Sequence, residues 1–234
     1  MGKDKLRRWK ELEDYEHVIQ PELEELIHKD HYLKGQWRDL FFKNQNSLVL
    51  ELGCGKGEYS VDLARKYPQK NFIGVDIKGA RIWRGAKTAY LEGLLNVGFL
   101  RTRIEFICAL FAPGEVDEIW ITFPDPRGKR KDTKKRLTGS RFLNKYKKIL
   151  RHGGIIHLKT DNFELFMYTR QILIYNQITI LTETRDLYKE SSFQEVRTIQ
   201  TFYEQKYLEN NQPIFYLKFS LSENSVINEL PSED

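Results

Sequence analysis

The chain has 234 residues, of which 40% are hydrophobic and 13% aromatic; this supports a folded core and excludes disorder throughout. Two cysteines, Cys54 and Cys108, exclude a disulfide framework, and no Cys/His spacing resembles a zinc site, so no metal is expected. A net charge of +5, a charged amino terminus and the lack of any apolar run of about 18 residues exclude a membrane span and predict a cytoplasmic protein.

Residues 1–46 are rich in charge and begin basic (Lys3, Lys5, Arg7, Arg8, Lys10). They read as an extension with a helix near Pro21–His28, its proline in the first turn. From Ser47 the pattern changes. Ser47–Leu52 is a buried strand, Gly57–Tyr67 a helix ended by Pro68, Asn71–Ile77 a second strand and Gly79–Asn96 a second helix. Arg103–Cys108 and Val116–Phe123 are expected as strands three and four. A helix over Gly139–Leu150 precedes a Gly153-Gly154 turn into strand five, Ile155–Thr160. Asn162–Asn176 is a helix, and Ile178–Thr184 with Ile214–Phe219 forms a closing antiparallel pair. Strands alternating with helices predict an α/β fold, a doubly wound and mostly parallel sheet over residues 47–221. The polar, acidic tail 222–234 is expected to be flexible.

The first strand runs into Glu51-Leu52-Gly53-Cys54-Gly55-Lys56-Gly57. Glycines 53, 55 and 57 let the backbone turn sharply and approach a ligand at the carboxyl end of the strand. The spacing is neither that of dinucleotide enzymes nor that of a P-loop. Glu51 would repel a phosphate and suits a cation bearing an amino group; S-adenosylmethionine, with its sulfonium and α-ammonium, fits. Asp76 ends the second strand, where a carboxylate can accept from two ribose hydroxyls.

Phe123-Pro124-Asp125-Pro126 sets one carboxylate on a stiff loop after the fourth strand. Between Arg127 and Arg151 follow twelve Lys/Arg against one acid, Asp132. A charge run is usually a solvated helix face, but a field this local attracts phosphates.

These segments together resemble the tRNA (guanine-N7-)-methyltransferases of the single-chain bacterial type. The set is Glu-Leu-Gly-Cys-Gly-Lys-Gly, Gly-Val-Asp-Ile, Phe-Pro-Asp-Pro with its basic run, Lys-Arg-Leu-Thr (135–138), Leu-Lys-Thr-Asp (158–161) and Thr-Phe-Tyr-Glu (201–204). The resemblance implies a class I, Rossmann-like methyltransferase. It would carry a methyl group from S-adenosylmethionine to N7 of a guanosine in the tRNA variable loop, with no obligate protein partner. Glu51, Gly53, Gly55, Gly57, Asp76 and Asp125 would match cofactor contacts, with Asp125 also the catalytic carboxylate. Lys129, Asp161, Thr201, Phe202, Tyr203 and Glu204 would meet the substrate. Asp161 and Glu204 are equal candidates for reading the guanine edge. The family's acid at the end of the third strand falls at Cys108, a poor acceptor. Other readings of the residues are a methyltransferase for another substrate and a non-catalytic RNA-binding protein.

Overall fold

Apolar runs such as Leu48–Leu50 and Ile119–Ile121 are almost wholly buried, as strands covered on both faces must be. The computed structural model describes residues 2–221 and 226–231. Helix α1 (Gly2–Glu13), strand β1 (Val18–Ile19) and helix α2 (Leu23–His28) lead to a π-helical turn over Trp37–Phe42. The centre follows as β2 (Ser47–Leu52), α3 (Glu58–Lys66), β3 (Lys70–Asp76), α4 (Gly79–Glu92), β4 (Val97–Arg101), α5 (Ile107–Leu110) and β5 (Val116–Thr122). Then come α6 (Ser140–Ile149), β6 (Leu150–Thr160), α7 (Phe163–Tyr175), β7 (Thr179–Thr184), α8 (Gln194–Arg197), α9 (Phe202–Glu209) and β8 (Phe215–Ser220). Among the described residues no helix is long and apolar enough to cross a membrane.

The eight strands form one sheet in the order β1-β4-β3-β2-β5-β6-β8-β7. The pairings from β1 through β6 are parallel, and β8 alone runs against its neighbours, β6 and β7. The closing antiparallel pair is therefore present, with β8 inserted between β6 and β7.

The third strand is not where the sequence pattern puts it. The helix predicted to Asn96 stops at Glu92, because Gly93 takes a left-handed φ of 63° and its N–H caps the last turn. Val97–Arg101 then pairs between β3 and β1. Gly98 looks like a breaker inside this run but is there for packing: a Cβ would lie 2.5 Å from the Phe41 ring. The predicted strand Arg103–Cys108 is instead a 3-10 turn, Ile104–Phe106, leading into α5.

The amino-terminal extension is built into the domain. Trp37 is 1% exposed and stacks on Phe111 with ring centroids 5.2 Å apart. The Glu115 carboxylate accepts from the backbone N–H groups of Gly35, Trp37 and Ala112. At the other end, residues 226–231 dock rather than hang free. Ile227 is 4% exposed, exchanges two hydrogen bonds with Asn144, and is followed by Glu229, which accepts from Tyr168 Oη at 2.7 Å. Residues 222–225 and 232–234 of the predicted flexible tail lie outside the described residues.

Candidate active site

Strand order reverses at β2: the chain steps from β2 to β3 on one side, while β5 lies on the other. Such a switch point opens a crevice at the carboxyl ends of the strands. Glu51, Gly53, Gly55, Arg81, Phe123 and Thr201 are among the residues that line it. A larger groove of about 1040 Å³, lined by Tyr32, Phe41 and Leu95, lies toward the amino ends of the strands, where Val97 begins β4, and has none of these groups.

The three glycines of the turn have different reasons. Gly53 and Gly55 face the crevice with φ of 80° and 56°, left-handed values that favour glycine. A Cβ at Gly55 would meet nothing closer than 4.0 Å, so the space beside it is open. Gly57 also has a positive φ, 71°, but a Cβ there would sit 2.5 Å from the Phe99 ring. Its bareness serves the contact between α3 and α4, where a Cβ on Gly85 would lie 2.9 Å from the Gly57 Cα.

Glu51 ends up 3% exposed. Ser60 Oγ donates to one carboxylate oxygen at 2.5 Å and Thr122 Oγ1 to the other at 2.6 Å. Burial raises its pKa to about 7, against the pull of these hydroxyls, and the nearby Asp76 charge adds to the rise. Asp76 braces the turn from β3: it accepts from Gly55 N–H at 3.0 Å and from Lys78 N–H at 2.8 Å. Each of its oxygens thus has one backbone donor and a lone pair to spare.

β5 ends in a strained loop. Phe123 has φ of 46° and Arg127 of 50°, left-handed values at non-glycine residues, and they bracket Pro124-Asp125-Pro126. Asp125 lies two residues beyond crevice-lining Phe123, with its side chain 63% exposed. It accepts from Arg127 N–H at 3.1 Å, and the Arg127 Nε is 3.3 Å away. Lys129 follows and is exposed. The basic run is a loop, a 3-10 turn over Arg130–Lys135 and α6, not one helix face. Some of its cations serve the fold. Arg136 donates to the Pro126 carbonyl and lies 4.2 Å from the Tyr168 ring centre, and Arg151 pairs with Asp117 at 2.9 Å.

On the far side of β5, Asp161 ends up half-buried just past β6. Thr201 reaches the crevice from the segment after α8, where its hydroxyl caps α9 by accepting from Glu204 N–H at 3.2 Å. Glu204 does not reach the crevice surface. It is 0% exposed, and its carboxylate takes Lys159 Nζ at 2.7 and 2.9 Å and Tyr188 Oη at 2.8 Å. Of the two candidates for reading a base edge, Glu204 is thus buried and engaged, and Asp161 is the one with exposed surface. The side chains of Phe202 and Tyr203 lie outside the described residues.

Cys108 is misplaced as a crevice residue. It sits on α5, and its Sγ donates to the Lys145 carbonyl of α6 at 3.7 Å. The third parallel strand ends at Arg101, so Thr102 and Arg103 occupy the place assigned to it. Sequence reasoning missed Arg81, Thr122 and Lys159. Thr122 and Lys159 carried a signal, since Thr122 immediately precedes the Phe-Pro-Asp-Pro loop and Lys159 lies within Leu-Lys-Thr-Asp; Arg81 carried none.

The donor set fits a nucleoside that carries positive charge. Two carboxylates, Glu51 and Asp76, offer acceptors to an ammonium or sulfonium and to a pair of hydroxyls. Arg81 in the first turn of α4 adds a cation at the same crevice, suited to a carboxylate.

A family model described as a putative methyltransferase matches residues 45–217. The chain is 58% identical over 221 residues to the tRNA (guanine-N(7)-)-methyltransferase of Christiangramia forsetii, which covers 94% of this chain and 99% of that one. It is 44% identical over 229 residues to the protein of the same name from Bacteroides thetaiotaomicron, across 98% of this chain and 90% of that one. Among solved structures, the 16S rRNA methyltransferase KamB matches with a TM-score of 0.58 at 15% identity, over 80% of this chain and 92% of that one, a likeness of fold alone.

Proposed function

The chain belongs to the tRNA (guanine-N7-)-methyltransferase family, and we propose on that premise that it methylates N7 of a guanosine in the variable loop of tRNA, with S-adenosylmethionine as donor. The observation that carries this reading is one crevice, walled by Glu51 and by the glycine turn that Asp76 braces, with the Asp125 loop at its edge and the cationic segment running on from that loop.

S-adenosylmethionine, when bound, supplies a methyl group activated by a sulfonium. Glu51 would hold its ammonium, Asp76 its ribose hydroxyls and Arg81 its carboxylate. Guanine N7 carries a free lone pair, so its attack needs no general base, and among the described residues no histidine lines the crevice. What remains is positioning. Positive charge builds on the guanine ring as the bond forms, and Asp125, on a loop fixed by two prolines and by the Arg127 N–H, supplies a nearby negative charge against which it can develop. Asp161, just past the carboxyl end of β6, offers two acceptors to the adjacent N–H groups of the guanine edge. Lys129 and the exposed cations of α6 hold phosphates, as folded tRNA is recognised largely by backbone and shape.

The test is transfer from methyl-labelled S-adenosylmethionine to unmodified tRNA, with borohydride–aniline cleavage to map the product. Label at a variable-loop guanosine is the expected result. Label on another nucleotide would move the target, and cofactor binding without any transfer to tRNA would remove the RNA substrate.

A further inference from the structure

Lys159 is in strand β6, is 0% exposed, and has two attachments. Its backbone carbonyl accepts from Phe123 N–H at 2.8 Å, where the Asp125 loop departs from β5. Its ammonium donates to the Val196 carbonyl at 3.3 Å, the Ile199 carbonyl at 3.2 Å and the Glu204 carboxylate at 2.9 Å. An ammonium has three N–H donors, and these three acceptors use all of them. They lie on one strap, 196–204, whose residue Thr201 reaches the crevice.

Under that strap is a cavity of about 260 Å³, walled in part by Val196, Ile199, Tyr59, Trp120 and Tyr216. Side-chain packing holds the strap in part, since Ile199 is buried and Val196 packs on the core, while the cavity leaves the rest of its inner face unfilled. Burying an ion pair costs desolvation, and an apolar pair of similar volume often serves stability as well or better. What an apolar pair cannot do is fix the register of three acceptors at once.

We propose that Lys159 is the positioning residue of this active site, holding the Asp125 loop through its carbonyl and the Thr201 strap through its ammonium, with Glu204 as its counter-ion and not a contact to RNA. The inference rests on the proposed function for the roles of Asp125 and Thr201. The geometry that ties strap to strand stands apart from that reading.

The test is the double variant Lys159→Met/Glu204→Leu, which leaves no uncompensated buried charge. It is expected to keep its thermal midpoint within a few degrees of wild type, while kcat with tRNA falls at least about tenfold and amide exchange over 196–204 speeds up. Activity within about twofold of wild type at an unchanged midpoint would reduce the pair to a structural role and overturn the proposal. Glu204→Gln tests it separately if the double variant does not fold. Faster exchange over 196–204 with a lower kcat supports the tie. A higher KM for tRNA alone, with exchange unchanged, would make Glu204 an RNA contact and overturn it. Wild-type protein that methylates no tRNA would remove the proposed function, and the exchange measurement would still decide whether Lys159 holds the strap.

Discussion

Glu51 shows how much one residue's surroundings determine. Its carboxyl is dry, and burial outweighs the hydrogen bonds it receives from Ser60 and Thr122, so that it holds its proton up to about pH 7. With the folded pKa raised above the ordinary 4.5, its contribution to the stability of the free protein is complete below that value and is lost as pH rises through about 7. A cationic ligand needs the opposite form, the carboxylate. Affinity for S-adenosylmethionine should therefore increase as pH rises through about 7 and then level off, with protons released on binding. Titration calorimetry in buffers of different ionisation heat would measure both. Glu51→Gln should bind more weakly and lose the pH dependence; a wild-type affinity flat across this range would place the ammonium elsewhere. Asp125 offers a contrasting case, since its side chain is 63% exposed and it lies beyond the crevice lining. Asp125→Ala should leave cofactor affinity nearly unchanged and lower kcat by roughly 100-fold, the scale of removing one charge that stabilises a transition state. Single-turnover methylation would measure it, and undiminished turnover would remove Asp125 from the chemistry.

At the scale of elements, the crossing of α3 and α4 decides a sign that helix propensity gets wrong. Propensity alone says that alanine at Gly85, inside α4, stabilises by about 1 kcal/mol. A Cβ there would lie 2.8 Å from the Lys56 carbonyl oxygen and 2.9 Å from both the Gly57 Cα and the Phe99 ring. Two of those neighbours are backbone and cannot swing aside, so Gly85→Ala should cost about 1–3 kcal/mol. For a chain of this size each kcal/mol lowers Tm by roughly 2–4 °C, and a higher Tm in thermal unfolding would mean the helices do not meet this closely. The same crossing shows what was legible in the sequence. β2, β3 and β5 were readable because their apolar runs are short and bounded by turn residues. Glu51, Gly53, Gly55 and Asp76 were readable because each sits at or beside a strand end. β4 was hidden, since Gly98 resembles a breaker until the Phe41 ring is found in its place, and that error carried Cys108 to a position it does not hold. The link from Lys159 to Glu204 spans 45 residues and leaves no local pattern. A glutamate in a substrate-like motif thus could not be told from a buried counter-ion.

Across the whole molecule, positive charge is concentrated in one segment of the chain. The full chain carries +5, while residues 127–151 alone hold twelve cations and one acid, so the remainder is net negative. The cationic segment starts at the Asp125 loop, beside the crevice, and continues along α6 to the amino end of β6, where Arg151 pairs with Asp117. A field this concentrated draws phosphates toward the segment. Arg136 and Arg151 are engaged within the protein, as are Arg127 and Lys135 with neighbouring acids. Exposed Lys129, Lys134 and Arg141 are better placed to meet backbone phosphates. Each phosphate that is no longer neutralised lowers the slope of log K against log salt by about 0.7–0.9. Replacing all three with alanine should therefore flatten that slope by roughly 2–3 and weaken tRNA binding at low salt. Affinity for S-adenosylmethionine should stay unchanged, because none of the three lines the crevice. Lys29→Ala provides the control, since Lys29 pairs with Glu25 on α2 at a distance in sequence from the segment. Filter binding across a salt series would measure both. If the triple variant keeps the wild-type slope, the RNA lies on another face and the cations of α6 only solubilise the helix.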